Sequence, residues 1–145
     1  MTRHEIEQLW SDHIAGEFAS KDVEATLATM VDDASVNHVP VNTGGKGKAE
    51  LRRFYRDVFI PSWPDDLAMT PVNRIIGDNQ LVDELHLRFT HKRQMDWFLP
   101  GVPPTNKVIE IDLVVVVQFR DNKLCCERIY WDQATVLRQV GLLGN

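Results

Sequence analysis

Cysteine is nearly absent from this 145-residue chain, and the two present, Cys125 and Cys126, are neighbours. Adjacent residues on a strand point to opposite faces, so the pair is badly placed to bridge with itself and is expected to be reduced, apolar filling. No CxxC or Cys/His ligand spacing occurs. His86 and His91 fall on opposite strand faces and His13 and His38 on other elements, so no metal is expected. Positive charge is in the minority. Sixteen Lys and Arg face 21 Asp and Glu, a net charge of -5, which lacks the clustered basic surface that nucleic acid or an anionic membrane requires. Long apolar runs are missing too: the longest, "IDLVVVVQF", is far short of the ~20 residues of a membrane span. The start, "MTRHEIEQLW", has acids and no apolar h-region, so a cytoplasmic location is the expectation. There is no GxSxG, and "NTGGKGKAE" matches neither GxxxxGK[ST] nor GxGxxG, which leaves covalent catalysis and nucleotide binding without a motif.

What is present is an ordered succession of patterns. Ile6, Leu9, Trp10, His13, Ile14 and Phe18 make a helical stripe, opened by a Thr2/Glu5 capping box. Ser20 is expected to restart a second helix bearing Leu27, Met30 and Val31. "ASVNHVP" reads as a strand, "VNTGGKGK" as a loop, and Leu51, Phe54, Tyr55, Val58 and Phe59 as a third helix that Pro61 ends. Two hairpins follow. "MTPVNRIIG" and "QLVDELHLRFTHKRQMDW" flank "GDN", and "KVIEIDLVVVVQFR" and "KLCCERIYWD" flank "DNK". Between them "FLPGVPPTN" reads as a loop, the wider segment "THKRQMDWFLPGVPPTN" is long and hydrophobic enough to act as a lid, and a last helix runs from Gln133 to Leu143. Helices first and antiparallel strands afterwards predict one α+β domain over 1–145. A strongly curved sheet packs on the N-terminal helices and encloses a pocket.

Strand parity sorts the polar residues. Val82, Glu84, His86, Arg88 and Thr90 share one face, and Leu81, Asp83, Leu85, Leu87 and Phe89 the other; the first set is either a solvated outer face or a polar pocket wall. On the last strand Cys126, Arg128, Tyr130 and Asp132 lie opposite Cys125, Glu127, Ile129 and Trp131. Asp132 precedes the last helix, where it is either an N-cap or a base at the mouth of a cleft. The aromatic residues exceed what one small core needs, and Trp10, Tyr55, Phe59, Trp63 and Trp97 are candidates to line an apolar ligand site.

"LWSDHIAGEFASKDVEATLATMVDDASV", "GKAELRRFYRDVF", "VDELHLRFTH" and, above all, "ERIYWDQATVLRQVGLL" resemble the SnoaL-like group of the nuclear-transport-factor-2-like superfamily. Asp132, Gln139, Val140 and Gly141 match the closing signature of that group. The resemblance implies a cone-shaped sheet around a helix-capped pocket, homodimerisation through the sheet, and chemistry without metal or cofactor. In the polyketide cyclases of the group, the Asp matching Asp132 is the general base of an aldol ring closure. Asp132 is therefore the expected base, with Glu84 and His38 as catalytic partners and Tyr130 and His86 as substrate contacts. The expected ligand is a small apolar carbonyl compound; a binding domain without turnover is the other reading.

Overall fold

The computed structural model describes residues 1–144; the final residue of the expected 1–145 domain lies outside the described residues. Helix α1 (Arg3–Ile14) starts at Thr2, whose side chain accepts from Glu5 N while Glu5 accepts from Thr2 N. This reciprocal cap satisfies two of the amide groups a helix start leaves unpaired. Its stripe buries Ile6, Trp10 and His13. The helix widens directly into a π-helical turn, Ala15–Ala19. Gly16 lies against α2 (Val23–Ala28), where a Cβ would come within 2.5 Å of Thr26 Oγ1. The second helix starts at Asp22 instead of Ser20, because the Asp22 carboxylate accepts from Ala25 N. Helix α3 (Lys48–Arg53) likewise passes into a π turn, Phe54–Phe59, and a 3-10 turn, Ile60–Ser62, at Pro61.

Six strands form one mixed sheet: β1 (Met30–His38), β2 (Thr43–Lys46), β3 (Ala68–Gly77), β4 (Gln80–Thr90), β5 (Val108–Arg120) and β6 (Lys123–Trp131), in the order β2-β1-β6-β5-β4-β3. Only β1 and β6 pair in parallel. The sheet has one more strand than the periodicity predicts, since part of "VNTGGKGK" pairs with β1 as β2. Gly44 makes this possible: at φ +144° it crosses so close to β1 that a Cβ would sit 2.0 Å from Val36 O. Register shifts in β1, β3 and β5 add twist and curl the sheet around the helices.

Strand β4 ends at Thr90, short of the long strand expected, and the chain then leaves the sheet. Residues 91–107 are partly built into the core. Met95, Trp97, Phe98 and Leu99 are each at most 1% exposed, plugging one end of the cone. The plug is tied down by Thr43 Oγ1 donating to Trp97 O and by Gln133 Nε2 donating to Phe98 O.

The inner face carries Leu81, Asp83, Leu85, Leu87 and Phe89 of β4 and Glu127, Ile129 and Trp131 of β6, all buried. The alternation was read correctly; its direction decides the site. The last helix, α4 (Gln133–Gln139), is shorter than expected and starts at Asp132. Asp132 is exposed and accepts from Ala134 N (3.0 Å), Thr135 N (3.3 Å) and Thr135 Oγ1 (2.8 Å). The Thr135 hydroxyl and the cap amides hold its carboxyl below the usual range. Asp132→Ala is expected to lower the melting temperature by a few degrees and Asp132→Asn to leave it nearly unchanged, as read by thermal unfolding.

Candidate active site

Between the helices and the inner sheet face lies an apolar cavity of about 60 Å³. That is well below the roughly 150 Å³ that admits benzene elsewhere, so its interior takes only a few heavy atoms as it stands. Six aromatic residues wall it: Trp10, Phe18, Tyr55, Phe59, Trp63 and Trp97. The aliphatic side of the wall comes from β4, β5 and β6 through Leu85, Leu87, Leu113, Val115 and Ile129. Glu17, Phe18, Trp63 and Met69 also line a wider surface recess of about 320 Å³, which places them at the mouth.

Three polar groups reach the cavity wall: Glu17, Glu127 and His38. Glu17 sits on the π turn and Glu127 on the inner face of β6. His13, fully buried behind them, places Nε2 2.6 Å from Glu17 and 3.1 Å from Glu127. Neither carboxyl lies on the axis of the ring N–H, so the imidazole is paired with them by charge at short range. Tyr55, on the other π turn, brings its hydroxyl 3.4 Å from Glu127 Oε2. Single π turns are common where a helix must aim a side chain at a site.

The ring of His13 is fixed from behind. Thr29 Oγ1 donates to Thr26 O (2.6 Å), so it accepts from His13 Nδ1–H (2.8 Å). Trp10 stacks on the imidazole at 5.4 Å, and its indole N–H donates to buried Asp83 (2.8 Å). Asp83 in turn takes a two-pronged contact from Arg74 (2.7 and 2.9 Å). The chain from Arg74 to His13 thus neutralises the one inward acid of β4 and leaves the charge of Glu17 and Glu127 to His13.

Burial alone would push His13 down, but the carboxyls of Glu127 and Glu17 outweigh it and hold the imidazole up at about 10. Burial raises Glu17, with His13 opposing. Tyr55 is raised by the same burial and by both carboxyls. His38 goes the other way: burial among Phe54, Phe59 and Trp97 lowers it to about 4, although Thr43 O accepts from its Nδ1–H. His38 is therefore a neutral ring whose Nε2 is an acceptor. The donor atoms of His13, Glu17 and Glu127 lie within 4.8 Å of one another. The 2.6 Å His13–Glu17 contact, however, is closer than two ligands of one ion with ~2.0–2.2 Å bonds stand.

Of the residues expected at the site, Trp10, His38, Tyr55, Phe59, Trp63 and Trp97 are brought together around the cavity. Asp132, Glu84, His86 and Tyr130 are not, and those four assignments are corrected. Asp132 caps α4 in solvent, and Tyr130, 40% exposed, shares its outward parity. Glu84 and His86 belong to the outer face of β4, where His86 bridges Asp112 (2.8 Å) and Glu110 (2.9 Å) on β5. The acids that do reach the cavity, Glu17 and Glu127, were missed, as was the role of His13. Two signals pointed to them: Glu17 stands four residues after His13 on the helical stripe, and Glu127 shares parity with Ile129 and Trp131.

The two histidines give stability opposite pH dependences. His13, raised from 6.5 to about 10, holds its proton in the folded state where the unfolded chain has lost it. Its contribution is complete below about pH 6.5 and is lost as pH rises through 10. His38, lowered to about 4, costs stability as pH falls from 6.5 towards 4, because only the unfolded chain takes up the proton. Denaturant unfolding across pH is expected to show a maximum near neutrality, with limbs of about 1.4 kcal/mol per pH unit at steepest. His13→Gln is expected to flatten the alkaline limb and His38→Gln the acid limb.

A model of the SnoaL-like domain matches residues 10–126. A search of curated protein sequences finds no significant match. Among solved structures, TsrD from Streptomyces laurentii superposes with a TM-score of 0.74 at 16% identity, covering 99% of both chains. A protein from Jannaschia sp. CCS1 assigned as a SnoaL-like polyketide cyclase gives the same values. AclR from Streptomyces galilaeus, assigned as a hydroxylase, gives 0.72 at 16% identity over 99% of this chain and 89% of its own. These likenesses establish the shared curved-sheet fold, and with the domain match over most of the chain they place it: the protein belongs to the SnoaL-like domain family.

Proposed function

We propose that the protein is an enzyme that moves protons on a small, largely apolar carbonyl compound, using Glu17 and Glu127 as the acid/base pair. The observation that carries this reading is the buried His13 set between the two carboxyls at the wall of an aromatic cavity. A carboxyl raised by burial keeps a proton closer to neutral pH than an ordinary one, which suits it to give and take protons at a carbon α to a carbonyl. The imidazolium of His13 stabilises the carboxylate left behind when Glu17 gives up its proton. Neutral His38 on β1 offers a hydrogen-bond acceptor that orients a substrate hydroxyl or amide. Such chemistry is carried by the chain's own side chains and fits aldol closure or double-bond isomerisation. The polyketide-cyclase assignment of one structural neighbour lends it support.

The α-proton exchange of small cyclic ketones in deuterated water, followed by NMR, tests the reading. Glu17→Gln and Glu127→Gln are expected to lower exchange at least about a hundredfold while keeping a cooperative melting transition. Exchange that survives both substitutions, or that falls only with Asp132→Asn, would contradict the assignment. Binding with no turnover by the wild-type protein would make it a ligand-binding domain.

We also infer that the outer sheet face pairs with a second copy, since Val72 and Ile75 of β3 stand 55% and 59% exposed there. Sedimentation equilibrium is expected to give a dimer for the wild type and a monomer for the Val72→Lys/Ile75→Lys double variant. A wild-type monomer at high micromolar concentration would contradict this.

A further inference from the structure

The charge count inside the cavity does not close with the protein's own groups. Two carboxyls, Glu17 on the π turn after α1 and Glu127 on β6, face one imidazole, His13. The remaining groups around them bring no further cation. Tyr55 on the α3 side and His38 on β1 are neutral, and the Arg74 guanidinium on β3 is consumed by Asp83 on β4. Lys21 lies out in the recess at the mouth. A buried cluster one positive charge short is unstable unless a proton or another cation completes it. Burial raises the Glu17 carboxyl, which makes it the acid of the pair inclined to take up that proton.

The walls point to what replaces it. Six aromatic residues face the cavity beside the two acids. Aromatic faces attract an organic ammonium through the ring quadrupole, and the attraction grows when the pair is desolvated. A divalent metal would ask instead for more oxygen ligands or waters than this apolar wall supplies. Trp63, which lines both the cavity and the recess, adds a second sign: its buried indole N–H has no partner among the described residues.

We propose that the compound occupying the cavity carries a protonated amine, its ammonium seated among Trp10, Tyr55, Phe59 and Trp63 against Glu17 and Glu127, with the rest of the molecule in the outer recess. This rests on the cavity being the site and adds the substrate class: an amine-bearing carbonyl compound. Binding exchanges one cation for another. The ammonium enters, the Glu17 carboxyl releases its proton to solvent, and the cluster keeps its net charge. The small inner volume suits an ammonium head of a few heavy atoms. The acceptor for the Trp63 N–H is the carbonyl oxygen of the same ligand.

The probes are propylammonium and 1-propanol, which match in size and differ in charge. Titration calorimetry in two buffers of different ionisation enthalpy counts the protons released. Propylammonium is expected to bind at least about tenfold tighter than 1-propanol, to release protons on binding, and to tighten as pH rises. Glu17→Gln is expected to abolish the proton release and most of the preference. If that variant fails to fold, Glu127→Gln and the wild-type pH series still decide. Equal affinity for 1-propanol, no binding of either probe, or displacement of propylammonium by Zn²⁺ at one ion per chain would overturn the proposal. Propylammonium binding without ketone exchange would leave it standing and sink only the catalytic reading. Exchange on neutral ketones with no ammonium preference would sink this inference alone.

Discussion

Burying an imidazole against two carboxyls is costly unless all three are held in register, and much of the structure serves that placement. His13 is reached through the first helix, Glu17 through the π turn that continues it, and Glu127 from across the cavity, through the inner face of the central strand β6. None of the three positions makes sense alone: an isolated carboxyl in this apolar cavity would simply stay protonated, and an isolated imidazole would stay neutral as His38 does. Together they hold charge beside a cluster of aromatic and aliphatic core side chains.

The supports of this cluster are part of the folding problem. The Thr26–Thr29–His13 hydrogen-bond chain links α2 and the start of β1 to α1, and the Arg74–Asp83–Trp10 chain links the far edge of the sheet to the same helix. Gly16 permits the close contact that brings these helices together, because any Cβ there would run into Thr26. The residue 91–107 segment closes the other end. Trp97 is fixed by Ser62, and Trp131 by Gln133, so the aromatic wall is anchored by its own polar atoms.

The helical stripe, the two hairpins and the strand alternation were legible in the sequence because each is a local periodicity. The closing signature added the family and its cone-shaped sheet. The site was less legible because it depends on which face of each strand becomes the inside. Parity paired Asp132 with Tyr130 and Glu84 with His86 correctly, but whether those faces turn inward is decided by which side of the sheet the helices cover, and that side carries Leu85, Leu113 and Ile129. Asp132 looked like a base because both a cap and a base need a carboxylate at a strand end; its bonds to Ala134 and Thr135 fit the cap. Glu17 was hidden for a different reason. An acid on an amphipathic helix reads as solvated surface, and only the π turn and the i,i+4 relation to His13 bring it inside. The strand from "VNTGGKGK" escaped notice because glycines usually mark turns, and here one marks a close approach of backbones.

The site depends on His13 being a buried imidazolium paired with two carboxyls. Nitrogen-15 NMR of the histidine rings across pH tests it most directly, since the charged and neutral forms have distinct ring-nitrogen shifts. His13 is expected to stay doubly protonated up to about pH 10, with Nδ1–H on Thr29, while His38 stays neutral down to about pH 4. A His13 that loses its proton near the ordinary value of about 6.5 would contradict the account.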